Sequence, residues 1–257
     1  WEEVCYVTLS RNLGFGVNSD AMERLARRTP LRLLHKHSDS LFQIEALLYG
    51  QAGMLDAKTA ATDAYAQQLA REYSFLSNKF SLQPMEGEAW KVFRMRPQNF
   101  PYRRIALMAH YIEGGFNLMQ AILDASSEKE LRQLFRVELS GYWSTHYTLG
   151  KESNMTPRAL GERSIDIILI NTVAPLYYAY GEITGSEKYI DRAVSLLEEL
   201  RPEENSIVLA FAAAGLKSDS ALASQALIQL RREYCDARKC IYCRWGHKFL
   251  SAAAKQR

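Results

Sequence analysis

The chain has 257 residues, enough for one large domain or two small ones with a substantial core. Hydrophobic residues make up 47% and charged ones 24%, which excludes a disordered segment and a coiled coil. The formal net charge is +3, from 32 basic and 29 acidic side chains, too small an excess to argue alone for a nucleic-acid partner.

Helical periodicity dominates from the start. Trp1, Val4, Cys5, Thr8, Leu9 and Leu13 follow the i, i+3, i+4, i+7 rule, and Gly14-Phe15-Gly16 stops that helix. Asn18, Ser19 and Asp20 are cap-type residues before a second helix through Met22, Leu25 and Ala26, which ends near Pro30. Ser38-Asp39 predicts the cap of a helix carrying Leu41, Ile44, Leu47 and Leu48, closed by Gly50 or Gly53. Ala61, Tyr65, Leu69, Tyr73, Leu76 and Phe80 mark one long apolar stripe. Pro84, Gly87, Pro97 and Asn99 break the pattern, so Leu82 to Phe100 reads as an ordered connection. Pro101 suits the first turn of the next helix, whose buried face is Ile105, Met108, Ile112, Phe116, Met119 and Leu123.

The most apolar stretch, Ile165 to Tyr180, is shorter than the roughly 20 residues of a membrane span and carries Asp166, Asn171 and Pro175. It predicts a buried core helix, and no membrane partner. Ser186 starts a helix with Ile190, Val194, Leu197 and Leu200. Asn205 starts another that ends at Gly215, and Asp219 a third with Leu222, Ala226 and Leu230. No convincing strand run interrupts them. Short loops between consecutive helices imply antiparallel neighbours, with a loose likeness to tetratricopeptide packing and no clean period. The expected class is therefore all-α. The architecture is a multi-helix bundle or irregular helical-repeat array over residues 1–257 as a single domain, with a Cys-rich C-terminal tail.

That tail carries the sharpest chemical signal. Cys235-x4-Cys240-x2-Cys243 is followed by His247, and two thiolates at C-x2-C spacing can chelate one ion from a tight turn. With His247 they make a Cys3His set for structural zinc over residues 235–247. An iron–sulfur cluster is the rival, with Cys5 as the remaining thiol. Free thiols, or a Cys240–Cys243 disulfide, are the plain alternative. Three of the four cysteines within nine residues make no disulfide framework, and Trp1-Glu2-Glu3 begins no signal peptide, so the expected compartment is the cytoplasm.

The second signal is basic. Arg94, Arg96, Arg103 and Arg104 fall within eleven residues beside Phe100 and Tyr102, a mixture that can hold phosphates and stack on a base of DNA or RNA. Arg24, Arg27, Arg28, Arg32, His35, Lys36 and His37 form a second basic run, and Arg238, Lys239, Arg244 and Lys248 surround the cysteines. The plain alternative is that the arginines bond carbonyls and helix ends. A third candidate joins His146, among aromatics, to Asp166 for acid–base work. The structural reading is preferred there: Asp166 and Asn171 anchor a neighbouring loop such as 94–101. No P-loop, G-x-S-x-G or H-E-x-x-H motif is present, so no catalytic residue is assigned.

With these segments in view, the chain resembles the C-terminal portion of a bacterial domain-of-unknown-function family. The matching pieces are Leu13-Gly14-Phe15-Gly16 with Ala26-Arg27-Arg28, Glu45-Ala46-Leu47 with Gly50-Gln51-Ala52-Gly53, and Arg96-Pro97-x-Asn99-x-Pro101-x-Arg103-Arg104. Leu160-Gly161, Asn171, Pro175 and the three terminal cysteines complete the set. The resemblance implies a longer protein whose upstream α/β part looks like a PD-(D/E)xK nuclease core. It also implies that the cysteines recur while His247 is less regular. The chain is then expected to be an accessory module of a nuclease-like protein, touching nucleic acid through the arginines. The alternative is a protein–protein scaffold.

Overall fold

The computed structural model describes residues 1–85, 90–96, 99–115, 117–139, 141–153 and 160–248. Gly87, Pro97 and Phe116 of the sequence reading lie outside them. Among the described residues the class is all-α as expected: the chain is 69% helical with 14 helices and one two-stranded sheet. It divides into two compact units, Trp1–Leu176 and Tyr177–Arg257.

The first unit opens with α1 (Glu2–Leu13), which buries Cys5, Tyr6, Leu9 and Leu13 at helical spacing. It packs on α2 (Ser19–Arg28), whose buried face is Ala21, Met22, Leu25 and Ala26. A short α3 (Leu31–Leu34) leads to α4 (Leu41–Gln51). The cap of α4 is Ser40, whose hydroxyl accepts from the Gln43 N–H, one residue beyond the predicted Ser38-Asp39. The predicted stripe from Ala61 to Phe80 is two helices, α5 (Ala57–Thr62) and α6 (Ala64–Phe80). Asp56 and Asp63 cap them through Thr59 and Ala66, and it is the extended Asp63 backbone that breaks the run. Gly50 lets α4 and α6 touch. A Cβ there would stand 2.1 Å from the Tyr73 ring.

The single helix predicted through Leu123 is also two, α7 (Pro101–Ile112) and α8 (Leu118–Asp124). Gly114, at φ 74°, turns the chain between them, a conformation β-carbon residues resist. α7 is buried around nearly its whole circumference and lies against α4. After α9 (Glu128–Phe135) comes a hairpin that the sequence did not predict. β1 (His146–Thr148) pairs antiparallel with β2 (Lys151–Glu152), His146 opposite Glu152.

α10 (Glu162–Ile168) continues through a π turn, Leu169–Val173, into α11 (Ala174–Thr184), so the predicted core helix is one rod with a wide turn in it. Pro175 explains part of it. It has no N–H for the carbonyl four residues back, and that Asn171 oxygen accepts instead from Asn12 Nδ2 of α1 at 2.8 Å. The same amide reaches Thr172 Oγ1.

The second unit holds α12 (Glu187–Glu199), α13 (Ser206–Ala213) and α14 (Ala221–Gln229), with α12 and α13 both against α14. Asn205 caps α13 through the Ile207 and Val208 N–H groups, and Ser220 caps α14. A π turn, Leu230–Cys235, precedes the cysteine tail. No helix among the described residues is long and apolar enough to cross a membrane.

Candidate nucleic-acid interface

The chain leading into the basic segment is moored to residues 18, 51 and 52. The Met85 N–H donates to the Gln51 carbonyl, and the Trp90 indole N–H to that of Ala52, both at the C-terminal end of α4. Asn18, itself buried, holds the next residue on both sides: it accepts from the Lys91 N–H at 3.0 Å and donates to the Lys91 carbonyl at 2.9 Å. Beyond that clamp the chain makes a turn closed by the Met95 N–H on the Val92 carbonyl. Phe93 and Arg94 occupy the tip. Arg94 takes a left-handed backbone at φ 59°, which an arginine adopts only where the surroundings demand it.

The tip presents one aromatic ring and three cations. Phe93 is 81% exposed, the Arg94 guanidinium lies 5.3 Å from its centroid, and Lys91, Arg94 and Arg96 all face solvent. No carboxylate among the described residues pairs with the three cations.

Arg103 and Arg104 are elsewhere. Each is 1% exposed, so they do not extend the strip formed by Arg94 and Arg96. Arg103 donates to the Trp143 carbonyl and sits 5.5 Å from the Tyr147 centroid, tying the hairpin region to α7. That is the role of arginines bonding carbonyls that the sequence reading set against phosphate binding. Arg104 donates to Asn99 Oδ1 at 2.6 Å under the Phe15 ring, whose centroid is 4.4 Å away. Burial pushes its guanidinium down to about 10. Two family-resembling segments, Leu13 to Gly16 and Arg96 to Arg104, therefore meet on this one side chain.

A further polar cluster escaped the sequence reading. Glu45 lies fully buried in α4, where it accepts from the Tyr65 hydroxyl at 2.5 Å. Burial pushes its carboxyl up to about 7, against the lowering pull of Tyr65 and of the Trp143 indole. Its Oε1 completes no hydrogen bond, and neither does Trp143 Nε1. Tyr65 stacks on Tyr142 at 4.5 Å, and Tyr142 donates to Asp63 and stacks on His146. A glutamate between Ile44 and Leu47 in an apolar stripe was the signal to be read.

His146 and Asp166 have different partners. His146 bonds the Tyr142 carbonyl and Thr145, while Asp166 pairs with Arg132 of α9, each with 12% side-chain exposure. Arg132 also holds Glu128 and Glu162. The anchors shown for Asp166 and the Asn171 carbonyl are thus on α9 and α1, where the sequence reading looked to residues 94–101.

In the tail, Cys235 ends the π turn and is exposed, as are Cys240 and His247, whereas Cys243 is buried. The Cys243 N–H reaches the Cys240 carbonyl in a tight turn, and the His247 N–H bonds the Cys243 carbonyl. Gly246 folds back on that turn, since a Cβ there would stand 2.3 Å from the Cys240 oxygen. No group of three or more His, Cys, Asp or Glu side chains is gathered to hold a metal ion among the described residues.

A family model described as "Protein of unknown function (DUF2851)" matches residues 1–206, all of the first unit and the second as far as the start of α13. The cysteine tail lies beyond the matched stretch. Comparison with curated proteins and with solved structures gave no match.

Proposed function

The chain belongs to the DUF2851 family of unknown function, and for this member we propose a helical module that contacts nucleic acid through Lys91, Phe93, Arg94 and Arg96. One observation carries the reading: a ring 81% exposed at the tip of a moored turn, beside three exposed cations that no carboxylate among the described residues pairs with. Bases stack on such a ring and phosphates meet the cations, which suits a single strand of DNA or RNA without sequence preference. A nuclease-like part of a longer protein is the partner this module would serve, a proposal supported by the sequence resemblance alone. A protein–protein scaffold is the competing reading.

Fluorescence anisotropy with a labelled single-stranded oligonucleotide tests it. Three phosphate contacts predict log K falling against log salt with a slope of about −2. R94E with R96E removes most of that slope, and F93A weakens binding about tenfold at fixed salt. Binding untouched by all three substitutions favours the scaffold.

The tail carries a separate proposal, a zinc ion on Cys235, Cys240 and Cys243 with His247 as fourth ligand and an iron–sulfur cluster as the alternative. Its supports are the cysteine spacing and the Gly246 contact that stacks the following helical turn on Cys240. Elemental analysis is expected to show about one zinc per chain, lost in C240S. Protein purified without metal at full stability sinks it.

A further inference from the structure

Arg104 is a buried cation that no carboxylate among the described residues pairs with. Its Nε and Nη1 have no hydrogen-bond partner, and its one bond goes to a neutral amide, Asn99. The groups that act on its charge are Arg103, which opposes it, and the weakly acidic Tyr111; no carboxylate is among them. Its place in the helix adds a second positive influence. Arg104 is in the first turn of α7, a helix of 12 residues, and by reaching Asn99 its guanidinium lies at that helix's N-terminal end. The macrodipole there repels cations and attracts anions. The cap, Phe100, has no side chain that could accept from the first turn. The Arg104 guanidinium, the helix N-terminus and Arg103 thus converge, and Arg104 has no carboxylate partner among the described residues, an arrangement that costs stability unless an anion completes it.

We propose that Arg104, with the N-terminus of α7 and with Asn99 fixing the guanidinium plane, binds a phosphate group, carried as a phosphate monoester or as inorganic phosphate. The free Nε–H and Nη1–H lie on either side of the Nη2 that Asn99 holds, and each donates more strongly to a phosphate oxygen than to any neutral group. Phe15, whose ring lies against the guanidinium, and Asn99, which bonds it, are both partly exposed. The inference is independent of the strip at 91–96, because free phosphate tests it alone.

Thermal unfolding of the whole chain in sodium phosphate and in sodium chloride of equal ionic strength provides the test. Wild-type protein is expected to melt a few degrees higher in phosphate. R104M is expected to melt higher than wild type in chloride, where an unanswered cation has been removed, and to lose the specific phosphate gain. General salting-out by phosphate acts on both proteins and cancels. An equal gain in both, or none in wild type, overturns the proposal. Should R104M fail to fold, R104K carries the same test: it keeps the charge without the fork and is expected to lose most of the gain. Oligonucleotides with a 5′-phosphate or a 5′-hydroxyl then identify the source. A preference of about tenfold for the phosphate, abolished by the same substitution, assigns the site to a nucleic-acid end. A phosphate gain without that preference assigns it to free phosphate or a small phosphate ester.

Discussion

Glu45 shows what burial does to a single carboxyl. Below about pH 4.5 it is neutral in folded and unfolded chains alike, and its environment is then fully favourable. Above that, the unfolded chain ionises while the folded one keeps its proton up to about 7, so stability falls as pH rises across this interval. The loss is about 3 kcal/mol at the upper end. E45Q removes the titration, and melting curves at pH 5 and pH 8 are expected to show wild type losing far more than the variant. Parallel losses would mean that the carboxyl is solvated. The side chains that matter at this scale were legible as types and not as places. Arg94, Arg96, Arg103 and Arg104 stood out at once as a basic group. Pro101 then starts a helix buried on almost all sides, which draws Arg103 and Arg104 inward, and no periodicity distinguishes that from a half-exposed helix. Glu45 went unread because its place between Ile44 and Leu47 marks the apolar stripe it belongs to and not how deep that stripe lies.

Elements were far more legible. Caps, apolar stripes and breakers placed α1, α2, α4, α12 and α13 close to where they stand, because each of these signals is local. The errors fall where a long-range partner decides. The run from Ala61 splits because Asp63 is held by Tyr142 and the Gly150 N–H, which lie far along the chain. The hairpin at His146 is too short to carry an alternating pattern of its own. The wide turn at Leu169 is the clearest case: Pro175 was visible, but not that Asn12 would take up the freed Asn171 carbonyl. That pairing makes a sharp prediction. N12A strips the partner from a carbonyl inside the fold and is expected to cost about 1–3 kcal/mol in urea unfolding. P175A returns an N–H to the same carbonyl, so N12A is expected to cost less in that background. Additive losses in the double-mutant cycle would show that the two residues act separately.

The molecule as a whole distributes its core unevenly. Most buried apolar side chains belong to the first unit, while the second rests on Tyr177, Ala193, Leu196, Leu200, Val208, Ala221, Ile228 and Cys243. Its α13 is apolar along almost its whole length, yet Leu209 is 61% exposed. Fewer buried contacts mean cheaper local opening, so amides of α12 to α14 are expected to exchange with deuterium well before those of α4 and α7. Uniform exchange across both units would contradict this. The cysteines divide along the same line. Cys235 and Cys240 are exposed, Cys243 is buried in the second unit, and Cys5 is buried in the first, its thiol pushed up to about 12 by burial and by Glu2. An alkylating reagent attacks only the thiolate, and only where it can reach. Stripped of metal, the folded chain therefore carries two thiols open to alkylation and two that count time: Cys243 is modified at the rate the second unit opens, and Cys5 at the rate the first does.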